Sequence, residues 1–227
     1  MTTAGLLLQI PLFTSLNQSE RANLTTLLRR LTLRKGDVLF RKGDEGAALY
    51  IIIHGRIKVA YPSKLGDEVT LAIFGSGDFF GEMALLDGMP RSADATALDE
   101  TQLCVLNRSD FLAFIVSNPG AVRSVLHALS MRIRKTDDLL GETCFMSISW
   151  RLARRLAEMA QQQPGYDPRK KAPVMLSMMQ KDLASLLGVS RESINKELKA
   201  LRDKGVVTTS RNTITIMDMD ALKRRMR

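Results

Sequence analysis

The sequence predicts an α+β chain in which an antiparallel barrel or sandwich precedes one long helix and a winged helix-turn-helix. Three observations carry that prediction. Between Gly36 and about Asn107, short apolar runs are broken again and again by Gly-Asp pairs. From about Gly120 to Glu142 a proline-free segment carries a regular apolar seam. The charge is also unevenly spread: residues 1–145 hold 16 Lys+Arg against 16 Asp+Glu, and residues 146–227 hold 17 against 8. The whole excess of +9 therefore falls in the last third of the chain. A neutral region joined to a strongly basic one suits a sensor fused to a polyanion-binding module.

Composition sets the outer bounds. The chain has 227 residues, 45% hydrophobic and 25% charged, which suits two domains of ordinary size and excludes disordered and fibrous classes. Its longest uninterrupted apolar run is Ala47 to Ile53, far short of the ~20 residues a membrane helix needs. The opening Met1 to Leu8 has no basic n-region and only a brief apolar stretch, so no secretory signal is expected. Two cysteines, Cys104 and Cys144, are too few for a disulfide framework, and a cytoplasmic location is expected.

Residues 1–35 read as short helices, with Asn17-Gln18-Ser19-Glu20 as a capping box ahead of Leu24, Leu27 and Leu28. Gly36-Asp37, Gly43-Asp44, Gly66-Asp67 and Gly77-Asp78 then separate strands at Val38–Arg41, Ala48–Ile53, Arg56–Tyr61 and Val69–Phe74. Val122, Leu126, Leu129, Ile133, Thr136, Leu140 and Thr143 recur at alternating spacings of 4 and 3. That is the seam of a two-stranded parallel coiled coil, or of an amphipathic helix lying on its own barrel. Gly141 and Ser147-Ile148-Ser149 mark a hinge. Ser147–Gln163 has helix texture, and Gln161 to Pro168 is a polar loop. A short strand at Val174-Met175-Leu176 follows, then helices Lys181–Leu187 and Arg191–Asp203 around the turn Gly188-Val189-Ser190. Val206–Thr209 and Thr213–Met217, joined by Ser210-Arg211-Asn212, form a hairpin. Helix, turn, helix and hairpin in that order is a winged helix-turn-helix.

One segment has its own chemistry: Phe80-Gly81-Glu82-Met83-Ala84-Leu85-Leu86-Asp87-Gly88-Met89-Pro90-Arg91-Ser92-Ala93. A glycine followed by a short apolar helical turn presents backbone N–H groups to an anion. A guanidinium at Arg91 fits the two exocyclic oxygens of a phosphodiester, and Ser92 adds a neutral donor. Glu82 suits a sugar hydroxyl, which needs an acceptor. In isolation Glu82 and Arg91 also fit a plain ion pair. The segment resembles the phosphate-binding cassette of cyclic-nucleotide-binding domains, because Gly-Glu-Met-Ala-Leu and Pro-Arg-Ser-Ala occur together at family spacing. Over nearly its full length the chain resembles the family of the cyclic AMP receptor protein and the oxygen regulator FNR.

The resemblance implies an N-terminal cyclic-nucleotide-binding β-roll over 1–118, a dimerisation helix and hinge over 119–146, and a DNA-binding winged helix-turn-helix over 147–227. It assigns the ribose hydroxyl to Glu82 and the cyclic phosphate to Arg91 and Ser92, with Gly81 and the amides of Met83 and Ala84 alongside. Base recognition falls to Thr136 and Asp137. Thr136 agrees with the family pattern, whereas Asp137 stands where a serine is usual. A carboxylate accepts from adenine N6 or from guanine N1 and N2, so cyclic AMP is the first expectation and cyclic GMP its rival. No prosthetic group is expected. An iron–sulfur sensor needs four cysteine ligands, and the two here are 40 positions apart. The histidines His54 and His127 read as ordinary turn and helix residues.

In the basic third, Arg191 and Glu192 open the second short helix, where side chains reach base edges in the major groove. Asn195 and Lys196 lie further along it, and Ser190 and Lys181 belong to the same candidate DNA-binding set. Lys196 stands where the family's cyclic AMP member has arginine; it keeps the charge and loses the fork. Lys181, Lys199, Arg202, Lys204 and Arg211 are candidates for phosphate contacts. The tail Lys223 to Arg227 is left open between a DNA-assisting and a free basic end. The expected partners are double-stranded DNA carrying TGTGA-like half-sites, a second copy of the chain, RNA polymerase and a cyclic nucleotide, with no membrane. Two rivals remain: a cyclic-nucleotide-binding module regulating another protein, and an effector-independent DNA binder. No catalytic constellation, metal-ligand spacing or Walker-type glycine loop is visible, so no catalytic residue is assigned.

Overall fold

The computed structural model describes residues 10–13, 16–63, 66–170 and 172–226. The opening Met1 to Leu8 and the terminal Arg227 lie outside the described residues. The chain divides into two compact units, one of residues up to Gly66 with Thr70–Thr136, the other of Asp67–Val69 with Asp137–Arg227.

In the first unit a 3-10 turn at Pro11–Phe13 precedes α1 (Gln18–Leu27). Asn17 caps α1 by accepting from the Glu20 amide, and Glu20 answers by accepting from the Asn17 amide, the reciprocal box expected of that spacing. Strands β1 (Arg29–Leu33), β2 (Val38–Phe40), β3 (Ala48–His54), β4 (Ile57–Pro62), β5 (Glu68–Phe74) and β6 (Phe79–Phe80) follow. Then come α2 (Met83–Asp87), β7 (Asp94–Ala97), β8 (Thr101–Asn107), α3 (Arg108–Ser117) and α4 (Pro119–Phe145). Among the described residues the strands of this unit form two four-stranded sheets, ordered β1-β8-β3-β6 and β2-β7-β4-β5.

Side-chain alternation along β3 and β8 builds two cores. Ile51 and Cys104 face a helical layer that includes Phe13, Leu24, Phe111, Ala121 and Val125. Their neighbours Ile52 and Leu103 point the other way and pack with Ile57, Ala95 and Ala97 of the second sheet. Burial at Cys104 pushes its thiol up, in keeping with a core role. The Gly-Asp pairs are turn chemistry: Asp37, Asp44 and Asp78 each accept from the backbone amide three residues earlier.

The expectation of short helices throughout residues 1–35 is corrected. Leu28 is already extended, with φ −79° and ψ 127°, and Arg29–Leu33 pairs antiparallel with β8 from Arg29↔Val105 to Leu33↔Thr101. Leu31 and Leu33 turn toward the core while Arg30 and Thr32 stay exposed, so a period of two overrides the helical spacing just before it. Of the expected hinge at Gly141 and Ser147–Ser149, only the second part is a break, since α4 runs through Gly141 to Phe145. The break falls at Met146–Ser147, where the Ser147 hydroxyl accepts from the Trp150 amide at 3.1 Å and starts a new helix. Along α4, Ala121 and Val125 are buried against the sensor core, while Val122, Leu126, Ile133 and Leu140 of the seam are exposed.

The second unit contains α5 (Ile148–Gln161), β9 (Val174–Ser177), α6 (Gln180–Leu187), α7 (Arg191–Arg202), β10 (Val207–Ser210), β11 (Thr213–Ile216) and α8 (Met219–Arg224). Its sheet order is β10-β11-β9. Leu152, Leu156, Leu183, Ile194, Leu198, Leu201, Ile214 and Ile216 share one core. Gly188 ends α6 in the left-handed region at φ 61°, where glycine carries no Cβ penalty, and Ser190 caps α7. The basic tail is tied down: Trp150 Nε1 donates to the Met226 carbonyl, and Arg225 donates to Ser149 Oγ, both at 3.0 Å. No single helix among the described residues is long and apolar enough to cross a membrane. The bent pair α3–α4 packs its buried residues Phe111, Phe114, Ala121 and Val125 into the core of the first unit.

Candidate functional site

The Gly81–Ser92 segment folds around two buried charges. Arg91 is 5% exposed. Its Nη1 donates to the Gly81 carbonyl and its Nη2 to the Ala48 carbonyl, both at 2.7 Å. The guanidinium lies over the Phe40 ring at 4.4 Å, with Tyr50 at 5.5 Å. Gly81 makes this approach available: at φ 85° a Cβ there would meet Arg91 Nη1 at 2.8 Å and the Ala48 oxygen at 3.2 Å. Gly46 does the same for α2, since a Cβ on it would stand 2.2 Å from that of Ala84. Burial lowers the Arg91 pKa, opposed by Tyr50, Glu82 and Asp44. Its Nε is buried without a partner.

Glu82 is 1% exposed. One carboxylate oxygen accepts from Arg132 Nη1, which reaches in from α4; the other, Oε2, is buried and unpartnered. Arg132 also donates to the Phe79 carbonyl and lies over the Phe74 ring at 4.7 Å. The cassette therefore holds a buried carboxylate with one free oxygen and a buried guanidinium with an orphaned donor. Such groups cost free energy unless they find partners. Met83 and Ala84 open α2, so their amides are among the first-turn groups that a helix leaves without intrahelical acceptors. Ser92 is exposed, with its hydroxyl 4.0 Å from the Met83 sulfur.

The structure thus brings Gly81, Glu82, Met83, Ala84, Arg91 and Ser92 into one segment. Thr136 lies one turn beyond Arg132 and donates to the Arg132 carbonyl at 3.0 Å. Asp137 is exposed on α4 and belongs to the second unit. Sequence reasoning missed Arg132. Its signal was the spacing of four to Thr136, which puts both on one helical face. His54 and His127 are exposed, and the described residues contain no cluster of metal-ligating side chains.

The second candidate surface is α7. Ile194, Leu198 and Leu201 anchor its inner face in the core, while Arg191, Glu192, Asn195 and Lys196 are exposed. Lys181 is exposed on α6, and Ser190 is half-buried as the α7 cap. The Glu192 carboxyl is held below the usual range by its own backbone N–H, by the Ser190 hydroxyl and by Arg191. A buried Arg151, also missed, donates to the Leu187 carbonyl at 2.8 Å and so fixes the end of α6 just before the turn into α7.

A cyclic nucleotide-binding domain model matches residues 30–118, and a Crp-like helix-turn-helix domain model matches residues 151–225. The chain is also 31% identical over 216 residues to the CRP-like cAMP-activated global transcriptional regulator of Mycobacterium tuberculosis, covering 95% of this chain and 96% of that one. The chain belongs to the Crp family of transcription regulators. A second relative, the cyclic AMP receptor protein of Thermus thermophilus, is 33% identical over 213 residues, 94% of this chain and 95% of that one. Among solved structures, the c-di-GMP responsive global regulator CLP of Xanthomonas campestris is similar with a TM-score of 0.78 at 22% identity, covering 88% of this chain and 99% of that chain. That likeness bears on the fold alone. As a Crp-family member the chain is a DNA-binding transcription regulator and not an enzyme.

Proposed function

We propose that this Crp-family regulator is a cytoplasmic homodimer that binds cyclic AMP in the Gly81–Ser92 cassette and, so loaded, reads a two-fold symmetric DNA site with TGTGA-like halves. The observation that carries the reading is the buried Glu82 carboxylate, with one oxygen on Arg132 and the other unpartnered. A ribose hydroxyl is a donor of the kind Glu82 Oε2 lacks. Arg91 and Ser92 would hold the cyclic phosphate, assisted by Gly81 and the amides of Met83 and Ala84. Thr136 and Asp137 would meet the base, and the Asp137 carboxylate makes cyclic GMP the competing nucleotide. The exposed row of Val122, Leu126, Ile133 and Leu140 supports a parallel pairing of two α4 helices. In this reading residues 1–118 sense, 119–146 dimerise and 147–227 bind DNA. Arg191 and Glu192 read bases, and Lys196 reads the innermost half-site positions more loosely than an arginine would; Lys181 contacts the DNA backbone, Ser190 opens the reading helix, and RNA polymerase is the downstream partner.

One observation favours an effector-independent regulator instead. Arg91 spends two of its donors on the chain's own carbonyls. Fluorescence anisotropy with a symmetric TGTGA duplex separates the two readings. Cyclic AMP should raise the affinity at least tenfold, and binding should weaken steeply as salt rises. Equal affinity with cyclic AMP, cyclic GMP and neither would establish the effector-independent reading.

A further inference from the structure

Asn195 is exposed on α7, four positions after Arg191 and three after Glu192, so it shares their face of the helix. Its amide makes no hydrogen bond within the chain among the described residues. The fold has no use for it: Ser190 caps the helix, and Ile194, Leu198 and Leu201 supply the buried contacts. Asparagine is also a poor helix former, because its side chain competes for the backbone.

Resting on the DNA-reading assignment of α7 above, we propose that Asn195 is a specificity-determining residue that reads an adenine in each half-site. Its partners on the exposed face are one-sided: Arg191 and Lys196 only donate, and Glu192 only accepts. A carboxamide does both. In the major groove, adenine offers an acceptor at N7 beside a donor at the N6 amino group, the edge that asparagine meets with two parallel bonds. Asn195 Nδ2 donates to N7 and Oδ1 accepts from N6. Four residues of helix advance about 6 Å, so this adenine lies within about two base pairs of the pair read by Arg191.

The test uses the full-length protein and its Asn195→Ala variant, which removes no buried contact, in anisotropy titrations with duplexes carrying each base pair in turn at every half-site position. The wild type should prefer A·T at one position by about tenfold or more. The variant should lose that preference and keep the others. Replacing that adenine by 7-deazaadenine, which removes the N7 acceptor, should weaken the wild type severalfold and leave the variant unchanged. An identical base profile in the two proteins, or wild-type indifference to 7-deazaadenine, would overturn the proposal. A wild type without sequence preference at any position would overturn the DNA-reading assignment of α7 itself, and this proposal with it.

Discussion

The cassette and the α7 face use the same residue types in opposite physical settings. In the cassette, Arg91 and Glu82 are withdrawn from water and held by carbonyls, aromatic rings and Arg132. On α7, Arg191 and Glu192 stand in solvent over a core made by other residues. A buried charge is expensive to orphan, so the cassette's charged residues are tied to the stability of their own domain. An exposed charge is nearly free to remove from the fold, so the outer face of α7 can vary without disturbing the helix beneath it. In the proposed function, the contrast is between a constrained ligand site and an adjustable DNA-reading face.

The sharpest way to break this contrast is Arg132→Ala, which strands the Glu82 carboxylate. The first unit should lose about 3 kcal/mol or more, measured by urea denaturation followed through a probe in that unit. Arg191→Ala tests the other side. Its urea midpoint should stay within about 0.5 kcal/mol of the parent, while DNA affinity falls about tenfold or more and nucleotide binding is unchanged. Equal losses of stability in the two variants would remove the distinction. A smaller effect sharpens the point for surface pairs. Arg56 donates to Asp99 at 2.6 Å, mostly in solvent, and this bond holds the Asp99 carboxyl below its ordinary value. Its stabilisation is present above the ordinary carboxylate range and is lost as pH falls through the folded-state value. Asp99→Asn should therefore cost less than about 1 kcal/mol near neutrality, and the difference from the parent should vanish in acid. Urea midpoints measured across pH check both.

Much of this was legible in the sequence because periodic burial and turn chemistry are local. The capping box at Asn17, the Gly-Asp turns, the α4 seam and the turn at Gly188-Val189-Ser190 are each decided within a few residues. What escaped was decided elsewhere in the chain. Arg29–Leu33 is a strand because β8 pairs with it, from 76 residues away at Arg29↔Val105 to 68 residues away at Leu33↔Thr101. Arg132 joins the cassette because Glu82, 50 residues earlier, is buried beside it. The motif singled out Glu82 and Arg91, but nothing local showed that Arg91 would turn inward to the Gly81 and Ala48 carbonyls.

Whether the proposed cassette binds a cyclic nucleotide through its buried charges is read by calorimetric titration with cyclic AMP and then cyclic GMP. Three proteins are compared: the parent, Ser92→Ala, which alters only an exposed hydroxyl, and Arg91→Gln, with folding checked by circular dichroism. The parent should give saturable heat at one site per chain. Binding should weaken about tenfold in Ser92→Ala, the loss of one hydrogen bond to a charged group, and disappear in Arg91→Gln. A folded parent that gives no heat with either nucleotide, or binding that survives both substitutions undiminished, would contradict binding through the buried charges.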